Sequence, residues 1–387
     1  MKKISISILG STGSIGSSVF RIINKKKNIF KINLLSANKN YNLIAKQIKK
    51  YKPKYFIIND KKTFDRIKKK FKKTYVLNDF NFKKIIKSDL TISAIPGLAG
   101  LTPTLKMMGS TKEILIANKE SIICGWNLIQ KESFKFSTKI TPIDSEHFSI
   151  LKLLEHHKKN EIRKIYITAS GGPFLNYNKH QLKNIKPKNA LKHPKWKMGK
   201  KISIDSATLM NKIFELVEAQ KLFNIENNKI EILIHPDSLV HAIIEFKNGL
   251  TKFIYHDTTM AIPLANAIFK KNFDIKDFHK VKKNNFIEKL FFRKVDKKIF
   301  PIIKIKDKVN EYPSSPIIVN ASNEVLVDQF LQKKIPFQAI FKIIMVILKD
   351  RNYKKYAIRK PKNINQINKI DNWAKKITKE RIHAIYK

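Results

Sequence analysis

Cysteine is almost missing from this 387-residue chain. Cys124 stands alone, so no disulfide can close within the chain and a disulfide-stapled extracellular scaffold is excluded. The expectation is a reducing compartment, with the cytoplasm as the default. Long apolar runs are missing too: the longest candidate, residues 341–348, is interrupted by Lys342 and followed by Lys349, which argues against a membrane span. Met1-Lys2-Lys3 leads straight into a strand-like run, so no signal peptide is expected before the fold. Acidic residues are few, 30 against 79 Lys and Arg for a net charge of +49, and arginine is rarer still, at seven. A surface this basic would suit nucleic acid or an anionic membrane. Recognition of phosphates and bases nevertheless favours the bidentate guanidinium, whereas here lysine is spread along the whole chain among Ile and Asn. Drift of composition toward Lys, Ile and Asn is the preferred reading, and no specific nucleic-acid or membrane partner is expected. A basic nucleic-acid-binding protein stays as the alternative, although the sequence has no aromatic-interleaved basic motif to support it.

With 43% hydrophobic residues, the chain can bury two or three cores. Its start alternates strand and helix signals: a strand at 4–9, a glycine turn, an apolar-periodic helix over 15–23, and a strand at 32–37. Strand-like runs at 55–58, 90–94 and 114–117 continue the alternation, with helical segments between them that include the basic stretch 61–73. The expected fold is α/β: an N-terminal Rossmann-like domain with a parallel sheet over residues 1–143. Beyond it, strands at 165–169, 230–235 and 239–246 and a helix over 207–223 predict a central α+β domain over 144–269. Residues 270–300 look like a linker, and 301–387 like a C-terminal helical domain, with helices over 322–332, 338–348 and after Asn372.

The first chemical motif is Gly10-Ser11-Thr12-Gly13-Ser14-Ile15-Gly16, set between a strand and a helix. Glycines there let a pyrophosphate approach the backbone, and the helix start offers unpaired N–H groups. After the second strand, where an NAD site would carry an acid, the chain reads Ala37-Asn38-Lys39-Asn40, which suits the 2′-phosphate of NADP(H). The second is Asp144-Ser145-Glu146-His147. In extended backbone its two carboxylates would share a side, and hard oxygens of this kind suit Mg²⁺ or Mn²⁺. A surface turn is the competing reading. Asn211, Lys212 and Glu215 fall three and four apart on a helix and supply a third acid, or else form an ordinary Lys-Glu pair with Ser206 as helix cap. His193-Pro194-Lys195-Trp196-Lys197-Met198-Gly199 reads as a loop that closes over ligand, or as a buried Trp anchor. Ser170-Gly171-Gly172-Pro173-Phe174 could cradle phosphate oxygens or simply end a strand.

Taken in order with Ala117-Asn118-Lys119-Glu120-Ser121, Asp205-Ser206-Ala207-Thr208, Ile234-His235-Pro236-x-Ser238-x-x-His241 and Asn320-Ala321-x-Asn323-Glu324, these motifs resemble the 1-deoxy-D-xylulose 5-phosphate reductoisomerase family over essentially the full chain. The resemblance implies an NADPH-dependent oxidoreductase of isoprenoid precursor synthesis, working as a homodimer, that turns 1-deoxy-D-xylulose 5-phosphate into 2-C-methyl-D-erythritol 4-phosphate. It implies a catalytic group of Lys119, Asp144, Glu146 and Glu215, with the three acids holding Mg²⁺ or Mn²⁺ and Co²⁺ as a further option. Substrate would touch Lys119, Ser145, Glu146, Ser170, His193, Trp196, Met198, Ser206, Asn211, Lys212, Glu215 and His241. Of these, Ser170, Ser206, Asn211 and Lys212 would take the phosphate. NADPH would meet Thr12, Gly13, Ser14, Ile15, Asn38, Lys39, Asn40, Asn118, Glu120 and Gly199. Two places depart from the family: Asn38 stands where glycine is usual, and Thr258-Thr259-Met260-Ala261-Ile262-Pro263 replaces Pro-Asp-Met-Arg-x-Pro. A plain NADPH-linked sugar-phosphate reductase without rearrangement is the related alternative.

Overall fold

The computed structural model describes residues 3–81, 87–196, 198–280 and 289–386. The chain forms two units, Met1–Ser121 with Trp126–Phe148 and Thr259–Asn285, and Ile122–Gly125 with Ser149–Thr258 and Phe286–Lys387.

In the first unit β1 (Ile4–Leu9), β2 (Phe30–Ala37), β3 (Tyr55–Ile58), β4 (Tyr75–Leu77), β5 (Ser88–Ser93), β6 (Thr111–Ile116) and β7 (Lys139–Pro142) form one sheet ordered β4-β3-β2-β1-β5-β6-β7. Every neighbouring pair is parallel. The crossovers carry α1 (Ser14–Lys25), α2 (Tyr41–Tyr51), α3 (Lys61–Lys70), α4 (Leu101–Met108) and α5 (Lys119–Phe136), and α6 (Ser145–Leu153) follows β7. Strand order reverses at β1, which opens a crevice beyond the carboxyl ends of β1 and β5, the place where such sheets bind ligands. The Ile-Ser alternation of β1 would fit a strand with one wet face, yet Ser7 is fully buried. Its hydroxyl meets Ser88 Oγ at 2.7 Å, and Asn33 Nδ2 donates to the same oxygen at 2.9 Å, so the second face is covered and its polar atoms are satisfied. Ile6, Ile8, Val19 and Ile22 form the core on the α1 side, together with Leu264, Ala265 and Ile268 from a helix far along the chain.

In the second unit β8 (Ile162–Ala169), β9 (Ile230–Ile234), β10 (Val240–Phe246), β11 (Thr251–Tyr255) and β12 (Arg293–Lys294) form a mixed sheet ordered β11-β10-β8-β9-β12. Only β8 and β9 run parallel. The helices are α7 (Pro187–Ala190), α8 (Lys200–Thr208) and α9 (Met210–Phe223), then α10 (Ala261–Phe269), which belongs to the first unit, then α11 (Ser315–Leu331), α12 (Ala339–Ile347), α13 (Tyr353–Ala357) and α14 (Ile364–Tyr386). Leu216, Ala219 and Phe223 of α9 pack with Ile165, Ile167, Ala242 and Ile244 of the sheet.

The helix expected over 207–223 is two helices. Leu209 takes φ +64 between them, and Thr208 Oγ1 accepts the N–H of Met210, the first residue of α9, at 3.2 Å. The stretch expected as a linker places Phe273 and Phe278 against Phe269 in the first unit and gives Arg293 and Lys294 to the second sheet, while residues 281–288 lie outside the described residues. Among the described residues no helix is long and apolar enough to cross a membrane.

Candidate active site

The glycine turn leaves β1 with Gly10 at φ +80, where a side chain would stand 2.7 Å from the Ala94 carbonyl oxygen at the end of β5. A Cβ on Gly16 would sit 2.6 Å from the Gly10 and Ser11 carbonyl oxygens, so α1 can begin this close to the turn only without one. Ser36 Oγ accepts the Gly10 N–H at 3.0 Å, and the Ser36 carbonyl accepts the Ser11 N–H at 2.8 Å. Gln47 on α2, which sequence reading did not single out, accepts from Ser11 Oγ at 2.7 Å and donates to the Ser11 carbonyl at 3.0 Å. With its backbone fixed, the turn presents Thr12, Gly13, Ser14 and Ile15 at the start of α1, where Gly13 provides no side-chain cap. The first N–H groups of α1 are the donors a pyrophosphate uses.

Asn38, Lys39 and Asn40 are exposed after β2, and Asn40 Oδ1 caps α2 through the Leu43 N–H at 3.1 Å. Asn118 is buried. Its Oδ1 caps α5 through the Ser121 N–H at 2.6 Å, and its Nδ2 donates to the carbonyls of Ile95 and of Gly97, the latter at 2.9 Å. The side chain thus ties the loop after β6 to the loop after β5. Glu120, buried in the first turn of α5, lies where the helix dipole favours an acid.

Lys119 and Asp144 meet at 2.8 Å in the first unit. Burial works against the Asp144 carboxylate, but the Lys119 ammonium and then His147, whose Nδ1 is 3.7 Å away, outweigh it and hold the carboxyl well below the usual range. Ser145 Oγ donates to Glu146 Oε2 at 2.6 Å. The chain is helical from Ser145, so the extended-backbone account of this pair is corrected: Asp144 precedes α6 and Glu146 lies in its first turn.

In the second unit, Asn211 Nδ2 and Lys212 Nζ donate to the two oxygens of Glu215, the lysine at 2.6 Å. Glu215 is 1% exposed. Ser170 follows β8, and Gly171 and Gly172 then take φ +80 and +62, keeping the loop low over α8. A Cβ on Gly172 would be 3.0 Å from the carbonyl oxygen of Ser206. Burial, with the charge of Lys212 added, pushes the His193 pKa down to about 4, so its ring is neutral at physiological pH. His193 Nδ1 accepts the N–H groups of Lys195 and Trp196 at 3.2 and 2.9 Å, which puts the ring proton on Nε2. Nε2 lies 3.0 Å from Ser170 Oγ, and that oxygen also accepts the Gly172 N–H at 3.0 Å. With two bonds accepted, the Ser170 hydroxyl proton is the one left to give, a donor suited to a phosphate oxygen.

Trp196 is half-buried, its ring edge-on to His241 with centroids 6.2 Å apart, and His241 stacks on His256 at 3.9 Å. Trp196 is therefore not fully buried. Met198 is half-buried, and Gly199 is exposed at the start of α8. Of the departures, Thr259 Oγ1 accepts the Ala261 N–H at 3.2 Å as α10 begins.

The sequence profile of 1-deoxy-D-xylulose 5-phosphate reductoisomerase matches residues 6–125, and two profiles of the C-terminal domains of that enzyme match residues 140–223 and 257–377. A 1-deoxy-D-xylulose 5-phosphate reductoisomerase from Pelagibacter ubique is 46% identical over 389 aligned residues, 96% of this chain and 97% of the relative. The solved structure of the enzyme from Zymomonas mobilis in complex with NADPH is 30% identical, with a TM-score of 0.88 over 99% of this chain and 100% of that one. A crystal structure of DOX-P reductoisomerase in complex with NADPH, fosmidomycin and magnesium is also 30% identical, with a TM-score of 0.89 over 98% of each chain. Similarity at this level runs from the glycine turn to the terminal helices, and on it the chain belongs to the 1-deoxy-D-xylulose 5-phosphate reductoisomerase family.

Proposed function

We infer that this chain converts 1-deoxy-D-xylulose 5-phosphate to 2-C-methyl-D-erythritol 4-phosphate with NADPH and a divalent cation. The observation that carries the reading is Glu215: a nearly fully buried carboxylate held between an amide and an ammonium, in a chain matched along its length by reductoisomerases. Buried carboxylates are kept only where cations or donors meet them. Asp144, Glu146 and Glu215 are the proposed holders of Mg²⁺ or Mn²⁺, a donor set of hard oxygens that fits those ions. When bound, the ion would act as a Lewis acid on the substrate's ketone and hydroxyl oxygens, and NADPH would supply hydride to the rearranged carbonyl.

The protein's own groups do the rest. Ser170 donates its hydroxyl proton to the phosphate, with Ser206, Asn211 and Lys212 as further ligands, and this remote grip orients the reacting end. Lys119 and Ser145 stand beside the substrate, and Lys119 keeps Asp144 ionised. Trp196, Met198 and His241 cover the bound substrate and exclude water. Thr12 to Ile15, with residues 38–40, 118, 120 and 199, hold NADPH, and Lys39 faces its 2′-phosphate. The first unit supplies most of the dinucleotide contacts together with Lys119, Asp144, Ser145 and Glu146, the second supplies the phosphate ligands and Glu215, and the helices over 301–387 act as support. A homodimer in the cytoplasm is part of the proposal: the solitary cysteine supports the compartment, and the resemblance supports the dimer. The surplus of lysine is left to composition, and no nucleic-acid partner is proposed.

Incubation with substrate, NADPH and Mn²⁺, with the product identified by NMR, tests the reading. The branched polyol phosphate is expected, and Glu215→Gln should slow turnover by roughly a hundredfold or more at saturating metal. A straight-chain alcohol would indicate a plain reductase, and full turnover in Glu215→Gln would refute the role given to that carboxylate.

A further inference from the structure

A buried polar contact joins the C-terminal helices to the proposed phosphate cradle within the second unit. Asp205, on α8 beside Ser206, is 2% exposed. Lys201, one turn earlier, reaches Asp205 Oδ2 at 2.8 Å, and Asn323 of α11 donates its Nδ2 to Asp205 Oδ1 at 2.7 Å. A carboxylate oxygen accepts and does not donate, so the amide can face it only through nitrogen. Asn323 is 0% exposed, and its Oδ1 has no hydrogen-bond partner among the described residues. A buried amide that leaves one end unsatisfied is costly, so its retention needs a reason beyond packing. An apolar residue on α11 would remove that unsatisfied oxygen but would leave the Asp205 carboxylate short of a donor.

The surroundings supply a further reason. Ser206 follows Asp205 in the last turn of α8, and the helix ends at Leu209, whose φ of +64 is uncommon for a leucine. The Ser170 loop rests on the Ser206 backbone, so close that a Cβ at Gly172 would stand 3.0 Å from its carbonyl oxygen. Helix α8 is thus held from α11 through Asp205 while it meets the phosphate loop through Ser206.

We propose that Asn323 is a positioning residue for phosphate binding: through the buried Asp205 carboxylate it fixes the turn of α8 that presents Ser206. This rests on the phosphate reading given above and adds to it a control from a helix that does not itself touch the substrate. The contact has an exchangeable form. Asp205→Asn combined with Asn323→Asp rebuilds the same hydrogen bond with donor and acceptor reversed, whereas Asn323→Asp alone sets two carboxylates against each other and Asn323→Leu leaves one oxygen without a donor.

The test uses the full-length protein with inorganic phosphate as probe by calorimetry, alongside steady-state kinetics and thermal unfolding, and Ser206→Ala as reference. Asn323→Leu and Asn323→Asp should each weaken phosphate binding about tenfold and raise KM for the sugar phosphate, with NADPH binding unchanged. The reversed double variant should recover most of that loss. If the Asn323 variants fold with lower melting temperatures but bind phosphate as the wild type does, or if the reversed pair recovers nothing, Asn323 is only a packing residue and the proposal fails. If Ser206→Ala also leaves phosphate binding untouched, the fault lies with the phosphate reading.

Discussion

Removing the ammonium of Lys212 should destabilise the protein and make it lean on added metal. In Lys212→Met the side-chain volume is nearly kept, but Glu215, 1% exposed, loses the cation 2.6 Å from its Oε2. Breaking a buried pair from one side costs about 3–5 kcal/mol, because the remaining charge has lost its solvent as well as its partner. Asn211 still donates to the other oxygen, which places the expectation at the lower end, about 3 kcal/mol. At roughly 2–4 °C per kcal/mol for a unit of this size, the melting transition should fall by about 6–12 °C. A cation bound by Glu215 replaces the missing charge, so Mn²⁺ should raise the melting temperature of Lys212→Met by more than that of the wild type. The assay is differential scanning calorimetry with and without metal on the wild type, Lys212→Met, Glu215→Gln and the double variant. The two single effects should not add, since both act on one pair. A loss below about 1 kcal/mol, the size expected of an exposed pair, together with additive singles, would falsify this account of Glu215.

Two further outcomes follow from side chains whose ionisation the fold displaces. His193 should stay neutral until about pH 4 in an NMR titration, with its proton on Nε2, and His193→Gln, which can still donate to Ser170, should keep more phosphate affinity than His193→Leu; titration near 6.5, the ordinary value for histidine, would overturn this. Because its folded pKa is lowered, the unfolded chain takes the proton first, and this residue's contribution to stability should fall as pH drops from 6.5 toward 4. Lys221 on α9 donates to the Ile123 carbonyl at 2.7 Å, where α5 breaks helical geometry at Gly125. Burial brings its ammonium down to about 8, against a smaller opposite pull from Cys124. Between 8 and 10.5 the unfolded state binds more protons, so stability should rise with pH through that window by an amount that Lys221→Met abolishes. Urea midpoints of both proteins at about pH 8 and about pH 10 measure the difference, and equal slopes would refute it.

Where local pattern and environment agreed, the fold was legible in the sequence. The glycine turn between β1 and α1, the run of β8 and the face of α9 that carries Asn211, Lys212 and Glu215 all follow from period and turn chemistry. The break at Leu209 did not, because a left-handed leucine leaves no mark in composition and the Thr208 hydroxyl sits within an otherwise helical pattern. The start of α11 was set too late, at 322 instead of Ser315. Asn320, Ser322 and Asn323 are polar yet buried there, which blurs the apolar period that marks a helix. The polar partner that satisfies the buried Ser7 of β1 is likewise seen only in the fold, where Ser88 meets it. Gln47 was invisible because its role depends on a contact with Ser11, thirty-six positions earlier. For Ser7 and Gln47 the missing information was the identity of a distant neighbour.

Helix α10 closes over the first core with Leu264, Ala265 and Ile268, although it is drawn from a stretch that follows most of the second unit in the chain. A ribosome therefore has to deliver about two-thirds of the polypeptide before the first unit can seal its hydrophobic side. Until then the nascent segment presents bare isoleucines from α1, which makes that interval the one in which a holdase chaperone would find most to grip.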